Sequence, residues 1–464
     1  MGVLAFLLLR WSSGEEMPVT EAAPESPQVG PPTSEIARPG FYPARYEITA
    51  RYTEAPPTIA GAQTVRYVNA EGRPMRSLHF RLWANAEDYA ALGGGTEISS
   101  VTIGEAPARF SVDGTDLEVV LPELLVEDAT AEVAIEFVTK IPPLAATFGH
   151  DAGVSYLGVW HPVLAVHDAE GWRLSPPTSF GEPYFSEAAD YSVEVTFPKD
   201  LAVAATGAEQ DARASGDLRT VVYEANSVRE FALAVGGDLA TRSREVGGTT
   251  VNVHYRPDSE ARAERVLDLA AKSLVYFSEL YGPYPYPELD VVDAPVGTGA
   301  EFSTLVFADM ASAEDALLNV VVPHEVAHQW WYVQVGSDQH DHPWLDEALA
   351  TYSEWLFAGD AATRFPDTTT PAAHLNSPVS AFADLASYQQ TTYVYGAQLY
   401  RDLAREIGEE TLVRGLRSYA QEHRFGTATN EDLVASLSEA AGADLAPFFE
   451  ERGVGVGGQQ EPGG

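Results

Sequence analysis

The feature that most constrains the fold is the pattern His-Glu-x-x-His at residues 324–328, followed after eighteen intervening residues by Glu347. On an α-helix, residues i and i+4 share one face, so His324 and His328 can direct two imidazoles at one metal ion. The spacer is long enough for a second helix to bring Glu347 alongside. Two histidines and one glutamate are an established zinc ligand set, and Glu325 is placed to act on a metal-bound water. The sequence therefore predicts one Zn²⁺ per chain, held between two helices.

The pattern alone also fits two histidines packed inside a buried helix. Two observations favour the metal: the apolar, aromatic context VVVPHEVAHQWW, and the glutamate within WLDEALATY on a second predicted helix. Pro323 removes one helical hydrogen bond, so we expect it to bend the helix or to mark its start.

The composition limits the partners. The chain of 464 residues carries 68 acidic and 28 basic side chains and a formal net charge of -40. Such a surface repels nucleic acid and anionic lipid, and we expect neither as a partner. The absence of cysteine excludes disulfides, thiolate metal sites and a cysteine nucleophile.

Residues 1–40 are predicted to lie outside the folded domains. Residues 2–9 are apolar but too short to span a bilayer, so we expect at most a weak membrane tether there. The following residues, up to about Gly40, are rich in Pro, Glu, Ser and Thr and are predicted to be a disordered tether. This arrangement favours export or cell-surface association, with the cytoplasm as the alternative.

Residues 41–240 are predicted to form a β-rich domain. Short segments such as YEITARY and EVAIEFVT alternate apolar and polar residues, and Asp113-Gly114 signals a hairpin turn. Many strands without intervening helices indicate a β-sandwich or an open saddle. Its isolated histidines are interpreted as surface or packing residues: His79, His150, His161 and His167. The aromatic stretch at residues 158–172 fits either a packed loop or a segment reaching towards a neighbouring site.

Residues 241–453 are predicted to form a mainly helical domain that contains the metal site, which makes the chain an α+β multidomain protein. A helix is expected over Ser259–Gly282, with Asp258 or Ser259 as its cap and Gly282 at its end. Further helical segments continue to Glu450. Residues 454–464 are predicted to be a disordered tail.

Four segments, in this order and spacing, resemble the gluzincin aminopeptidases of the aminopeptidase N family, which includes leukotriene hydrolase. They are TGAEFSTLVF, HEVAHQWW, WLDEALATY and YVYGAQLY. The resemblance covers roughly residues 40–455. It implies a β-sandwich or saddle domain followed by a thermolysin-like gluzincin catalytic domain, in a minimal two-domain form without the family's later domains.

The resemblance also implies individual roles. His324, His328 and Glu347 match the zinc ligands. Glu325 matches the general base that takes a proton from the zinc-bound water. Tyr393 matches the tyrosine that stabilises the tetrahedral oxyanion. Without the resemblance, Tyr393 would be read as a core aromatic residue.

The same resemblance implies a substrate-binding segment. Glu301 matches the glutamate that holds the free α-amine of the substrate, and Gly299, Ala300 and Tyr388 are implied to line the site. Ala300 and Phe302 replace the family's methionine and asparagine, which alters the first side-chain pocket.

Two further departures accompany these. Tyr395 replaces a lysine of the family, and Asp346 stands where the family often has asparagine. We expect Asp346 to accept a hydrogen bond next to the metal ligands. The family's additional substrate anchor in the β domain has no recognisable counterpart in this sequence.

The sequence thus predicts a zinc-dependent aminopeptidase that hydrolyses the N-terminal peptide bond of peptides by attack of a zinc-bound water. Its partners would be peptides with a free N-terminus, with no stable protein partner. A zinc endopeptidase of the same fold is the alternative if Glu301 does not hold the amine. A catalytically inactive peptide-binding protein is a second alternative, and lipid-epoxide hydrolysis is a remote one.

Overall fold

The structure is a computed structural model that describes residues 43–70, 72–181, 184–359, 371 and 373–455. The predicted tether at residues 1–40 and most of the predicted tail at 454–464 lie outside the described residues. Within the described ranges, no helix is both long and apolar enough to cross a bilayer.

The N-terminal part of the described chain is built almost entirely from strands, with one short helix, α1 (Glu87–Ala90). In chain order the strands are β1 (Ala44–Glu54), β2 (Pro57–Val68), β3 (Met75–Arg81), β4 (Gly95–Ile103), β5 (Ala106–Pro107), β6 (Arg109–Asp113), β7 (Asp116–Leu125), β8 (Thr130–Lys140), β9 (Phe148–Asp151), β10 (Val154–Leu157), β11 (Val163–Leu164), β12 (His167–Asp168), β13 (Gly171–Trp172), β14 (Ala189–Pro198), β15 (Ala202–Ala205), β16 (Ala208–Ser215), β17 (Leu218–Val228) and β18 (Leu233–Gly236).

The largest sheet has eight strands in the order β16-β17-β14-β1-β2-β8-β4-β5. Its strands alternate buried and exposed residues, as in β1, where Tyr46 and Ile48 are buried and Glu47 and Thr49 face outward. One face of the sheet therefore covers the core. Two four-stranded sheets, β15-β18-β10-β9 and β11-β3-β7-β6, lie in the same domain. The predicted β-rich architecture is confirmed.

The hairpin predicted at Asp113-Gly114 forms between β6 and β7. Asp113 pairs with Asp116, so Gly114 and Thr115 are the two loop residues. Gly114 has φ +56°, a conformation that a two-residue hairpin loop of this kind requires.

The C-terminal part of the described chain begins with strands, so the expectation that the chain becomes helical at about Thr241 is wrong in detail. A five-stranded sheet in the order β19-β20-β21-β23-β22 comes first. Its strands are β19 (Ala240–Val246), β20 (Thr249–Tyr255), β21 (Glu288–Asp293), β22 (Gly299–Phe302) and β23 (Leu305–Ala308). The Gly247-Gly248 turn, with both φ values positive, joins the first two strands.

The remaining described chain is mainly helical, as predicted. Its α-helices are α2 (Glu260–Tyr281), α3 (Asp315–Ala327), α4 (Trp344–Phe357), α5 (Leu385–Gln389), α6 (Gly396–Ile407), α7 (Glu409–Glu422), α8 (Asn430–Ala441) and α9 (Ala446–Glu450). A π-helix at Gln390–Tyr395 joins α5 to α6. Short 3₁₀ turns lie at Trp83–Asn85, Pro257–Ser259 and Val379–Ala381, and the short strands β24 (Val335–Gly336) and β25 (Gly426–Thr427) pair in parallel.

Two local expectations need correction. Ser259 precedes α2 but makes no capping bond, because its hydroxyl donates to the Arg256 carbonyl and to Asp293 instead. Pro323 lies inside α3, eight residues after its first residue, so the helix does not begin there. The predicted helix over Ser259–Gly282 and its end at Gly282 are confirmed.

An apolar layer fixes the helices that carry the metal motif. Trp330 and Trp331, just after α3, are fully buried, and Trp344 opens α4 with no exposed surface. The ring of Tyr281 on α2 lies 4.6 Å from that of Trp331, edge to face. Close packing of large rings leaves little freedom for the helix ends that hold the ligands.

Candidate metal centre

The three predicted ligands come together at the junction of α3 and α4. His324 lies in the last turn of α3, and His328 is the residue at which that helix ends. Glu347 lies in the first turn of α4. All three side chains are at least 95% buried. The two-helix arrangement expected from the motif spacing is the one observed.

The ligand atoms form a nearly equilateral triangle. His324 Nε2 lies 3.1 Å from His328 Nε2 and 3.2 Å from Glu347 Oε2, and the third edge measures 3.4 Å. A tetrahedral zinc with ligand distances of about 2.0–2.1 Å has ligand–ligand edges of about 3.3 Å. These donors therefore fit zinc in both chemistry and spacing.

The remaining ring nitrogen of His328 has a defined partner. His328 Nδ1 donates to the carbonyl oxygen of Trp331 at 2.9 Å. This bond leaves Nε2 as the lone-pair donor towards a metal and fixes the orientation of the ring. Asp346, expected to accept next to the ligands, accepts from the backbone N–H of Glu347 at 2.8 Å.

Glu325 follows the first ligand and is also buried. A Cβ atom at position 299 would collide with its carboxylate, so glycine at 299 allows strand β22 to pass close by. Burial, and then the charge of Glu301, raise the pKa of Glu325 well above its usual range. A carboxylate with a raised pKa is a better proton acceptor near neutral pH.

Tyr393 reaches the ligand set from the π-helix. Its hydroxyl donates a hydrogen bond to Glu347 Oε1, and its ring stacks on His324 with centroids 5.7 Å apart. π-helical turns are rare and often occur at functional sites, because the extra residue changes which side chains face inward. The structure thus brings Tyr393 to the three ligands.

Glu301 lies on strand β22 and is buried. Its Oε1 accepts a hydrogen bond from Gln339 Nε2 at 3.2 Å and lies 3.9 Å from His328 Nδ1. The side chain of Ala300 packs elsewhere, in an apolar cluster with Tyr156 and Phe307. Of the predicted substrate-binding segment, the structure therefore brings Glu301 and Gly299 to the centre, but not the side chain of Ala300.

Tyr388 belongs to a small aromatic cluster beside Tyr393, with ring centroids 5.9 Å apart. Phe382 and Phe180 pack against it at 5.4 and 5.6 Å. Phe180 comes from the N-terminal domain, so both domains contribute to this wall of the site.

The centre contains four buried carboxyl groups, on Glu301, Glu325, Asp346 and Glu347. Burial alone would raise the pKa of Glu347, but its contacts with the His324 and His328 rings lower it to about 2. Burial and the charge of Glu347 raise the pKa of Asp346 to about 8. A bound cation, whether a divalent metal or an ammonium group, would favour the charged forms of these carboxyl groups and lower their raised pKa values.

Two functional contacts escaped the sequence analysis. Gln339 lies in the turn between the two metal helices and bonds to Glu301. No pattern distinguishes it from Gln334, another glutamine of the same segment. The carbonyl of Trp331 fixes His328, and backbone groups carry no sequence signal.

The structure places a glutamate beside the two histidines of a His-Glu-x-x-His motif, and such a donor set suits zinc. Residues 265–451 match the peptidase family M1 domain. The described chain also has the fold of an M1 zinc metallopeptidase from Deinococcus radiodurans, with a TM-score of 0.68 at 22% identity, covering 90% of this chain and 94% of that one.

The named relatives are longer proteins, and this chain matches only part of each of them. The chain is 28% identical over 293 residues to aminopeptidase M1-D of Oryza sativa subsp. japonica, which covers 56% of this chain and 33% of the relative. It is 25% identical over 308 residues to aminopeptidase 2 of Candida albicans, covering 59% and 33%. The chain therefore spans about a third of the length of these relatives.

Proposed function

We propose that this chain is a zinc-dependent aminopeptidase that binds one zinc ion and releases N-terminal residues from peptides. The observation that carries the proposal is the pairing of a zinc-sized ligand triangle with the buried carboxylate of Glu301 next to it. A buried carboxylate without a cationic partner is costly, and an ammonium group is the cation that a peptide with a free N-terminus supplies.

His324, His328 and Glu347 would hold the metal, which in such sites lowers the pKa of water and polarises a carbonyl. Glu325 accepts the proton of the attacking water and returns it to the leaving amine, a role that its raised pKa suits. The Tyr393 hydroxyl donates to the oxygen on which negative charge develops. Each chemical part of a hydrolytic mechanism is therefore represented, which argues against an inactive binding protein.

The names of similar proteins agree with this proposal. Both relatives described above are named aminopeptidases. A mutant of the Deinococcus radiodurans metallopeptidase, with a TM-score of 0.64 at 20% identity, is described as bound to a Tyr-Ser-Ala substrate. A short peptide of that kind is the substrate class that we propose here.

The experiment is hydrolysis of aminoacyl anilides and their N-acetylated forms, with zinc content measured on each protein. Wild type should cleave only substrates with a free amine. Glu325→Gln should keep its zinc and lose about 10²–10⁴-fold in kcat. Glu314→Gln is the control, since Glu314 is exposed at the opposite end of the same helix.

Two results would overturn the proposal. Equal cleavage of acetylated substrates would favour a zinc endopeptidase, since no amine would then be recognised. Zinc bound at full occupancy without turnover on any substrate would favour a peptide-binding protein.

A further inference from the structure

The turn that joins the two metal helices, residues 336–343, is internally braced. Asp338 Oδ1 accepts from the backbone N–H groups of His340 and Asp341 at 3.1 and 3.0 Å. The Asp338 carbonyl accepts from the His342 N–H at 2.7 Å. Turns closed by an aspartate in this way have a well-defined backbone conformation.

Two outside contacts hold this turn in place. Asp341 lies 3.6 Å from the guanidinium of Arg173, which follows strand β13 of the N-terminal domain. The His340 carbonyl accepts from the Val379 N–H at 2.9 Å, next to the aromatic wall. The backbone from which a side chain of this turn projects is therefore held in a fixed position.

Gln339 projects from the turn to Glu301. Both side chains are buried, with 3% and 4% of their surface exposed. Among the described residues, the Gln339 amide is the only hydrogen-bond donor to the Glu301 carboxylate. His328 Nδ1, at 3.9 Å, already donates to the Trp331 carbonyl. The amide is therefore the contact that sets where this carboxylate points.

We infer that Gln339 is a positioning residue for amine recognition: its N–H holds Glu301 where the substrate ammonium binds. The inference rests on the proposed function. The Gln339 carbonyl oxygen is buried and has no hydrogen-bond partner within the described ranges, whereas its amide also bonds to the carboxyl group of Asp346, beside the ligand Glu347. Without the amide, no hydrogen bond from the described residues would hold Glu301 in this position.

The test compares Gln339→Met with Gln334→Met. Gln334 is also 3% exposed and donates to the Gln329 carbonyl at 3.0 Å, but no hydrogen bond joins it to Glu301. Both variants lose one buried amide, so both should lose thermal stability. Only Gln339→Met should raise KM for free-amine anilides, by about tenfold, with kcat changed much less.

Two further measurements separate positioning from general damage. Competitive inhibition by leucinamide should weaken about tenfold in Gln339→Met, whereas zinc content should match wild type. Gln339→Asn keeps the amide but withdraws it by one methylene, so its KM should lie between the two. If Gln339→Met does not fold, Gln339→Asn decides alone by its KM against that of Gln334→Met.

Equal KM values for Gln339→Met and Gln334→Met would overturn the inference, as would a loss confined to kcat. A wild type that cleaves acetylated anilides equally well would instead contradict the proposed aminopeptidase function. The two failures are thus distinguishable in one set of assays.

Discussion

Two regions of buried charge lie close together in this molecule and differ in how their polar groups are satisfied. The domain junction, defined here as Arg229 and Glu230 with their partners, is fully matched. The Arg229 guanidinium donates to the carbonyls of Ser186 at 2.9 Å, of Gly426 at 2.6 Å, and of Tyr332. Glu230 accepts from the Ser303 N–H at 2.5 Å and from the Tyr332 hydroxyl.

The metal centre is instead rich in acceptors. Three buried oxygens there have no hydrogen-bond partner within the described part of the chain: Glu325 Oε2, Asp346 Oδ2 and Gln339 Oε1. Native structures satisfy nearly all buried polar groups, so unmatched acceptors need an explanation. At the domain junction every buried polar group has a partner within the protein, and the cluster joins the two domains. At the metal centre we infer that cations from outside the chain supply the missing partners.

Metal removal should have the largest effect and should act on only one of the two regions. Chelation is expected to lower kcat/KM by about 10³-fold or more, because the chain's own residues do not replace the metal's charge. The melting temperature should also fall, since a bound ion at a hundred times its Kd adds about 2.7 kcal/mol of stability. Activity and zinc content are measured before and after chelation, and again after zinc is added back.

The junction variant Glu230→Gln serves as the comparison, because it should retain zinc and its sensitivity to the chelator. Turnover that persists in protein without detectable zinc would contradict the assignment of the metal centre.

The next largest effect should come from the junction. Arg229→Met removes the donor to three carbonyls, those of the buried Ser186 and Tyr332 and that of the exposed Gly426. We expect it to lower the free energy of unfolding by about 3 kcal/mol. The measurement is urea unfolding, with Arg219→Met as the control, since Arg219 makes a more exposed pair with Glu209. A loss below about 1 kcal/mol for Arg229→Met would show that water replaces the guanidinium.

The two regions also differ in how well the sequence predicts them. The spacing of His324, His328 and Glu347 is enough to predict the metal centre, because each ligand type is chemically specific and its position on a helix is periodic. Alternation in β1 and β8 likewise predicts the sheet. These signals are local, and local patterns are what a sequence displays directly.

The junction has no such signal. Arg229 binds three carbonyl groups from distant parts of the chain, and any residue type has a carbonyl. The role of Gln339 is equally hard to predict from the sequence, since its partner Glu301 lies 38 positions away. The strands β19 and β20 were missed for another reason: the helical pattern that follows them is stronger. Long-range hydrogen bonds depend on the finished fold rather than on neighbouring residues.

A smaller effect is expected from glutamate-to-glutamine substitutions, which should change the stability in opposite directions in the two regions. Glu301→Gln removes a charge from a site with three other carboxyl groups, so in metal-free protein it should raise stability by about 0.5–2 kcal/mol. Glu230→Gln makes the same chemical change at the junction but weakens two matched hydrogen bonds, so stability should fall. Urea unfolding of both variants checks the signs. The comparison fails if both changes act in the same direction.

The smallest effect concerns Glu288, a half-buried carboxylate that belongs neither to the domain junction nor to the metal centre. It lines a cavity of about 450 Å³ that both domains bound, together with Tyr286 and Phe425. Burial, and then the charges of Asp290 and Glu209, raise its pKa to about 7. The folded state therefore binds this proton more tightly than the unfolded chain, whose glutamate titrates near pH ~4.3.

The sign follows from that difference. The stability from the protonated Glu288 is fully present below about pH 4 and is lost as the pH rises through about 7. Glu288→Gln should therefore leave the melting temperature unchanged near pH 4.5 and raise it above that of wild type at pH 8. Glu123→Gln, at an exposed position of β7, should have the melting temperature of wild type at both pH values. A Glu288→Gln variant that is less stable than wild type at pH 8 would mean that the charged carboxylate has a partner there, which would make Glu288 part of a matched cluster like the junction.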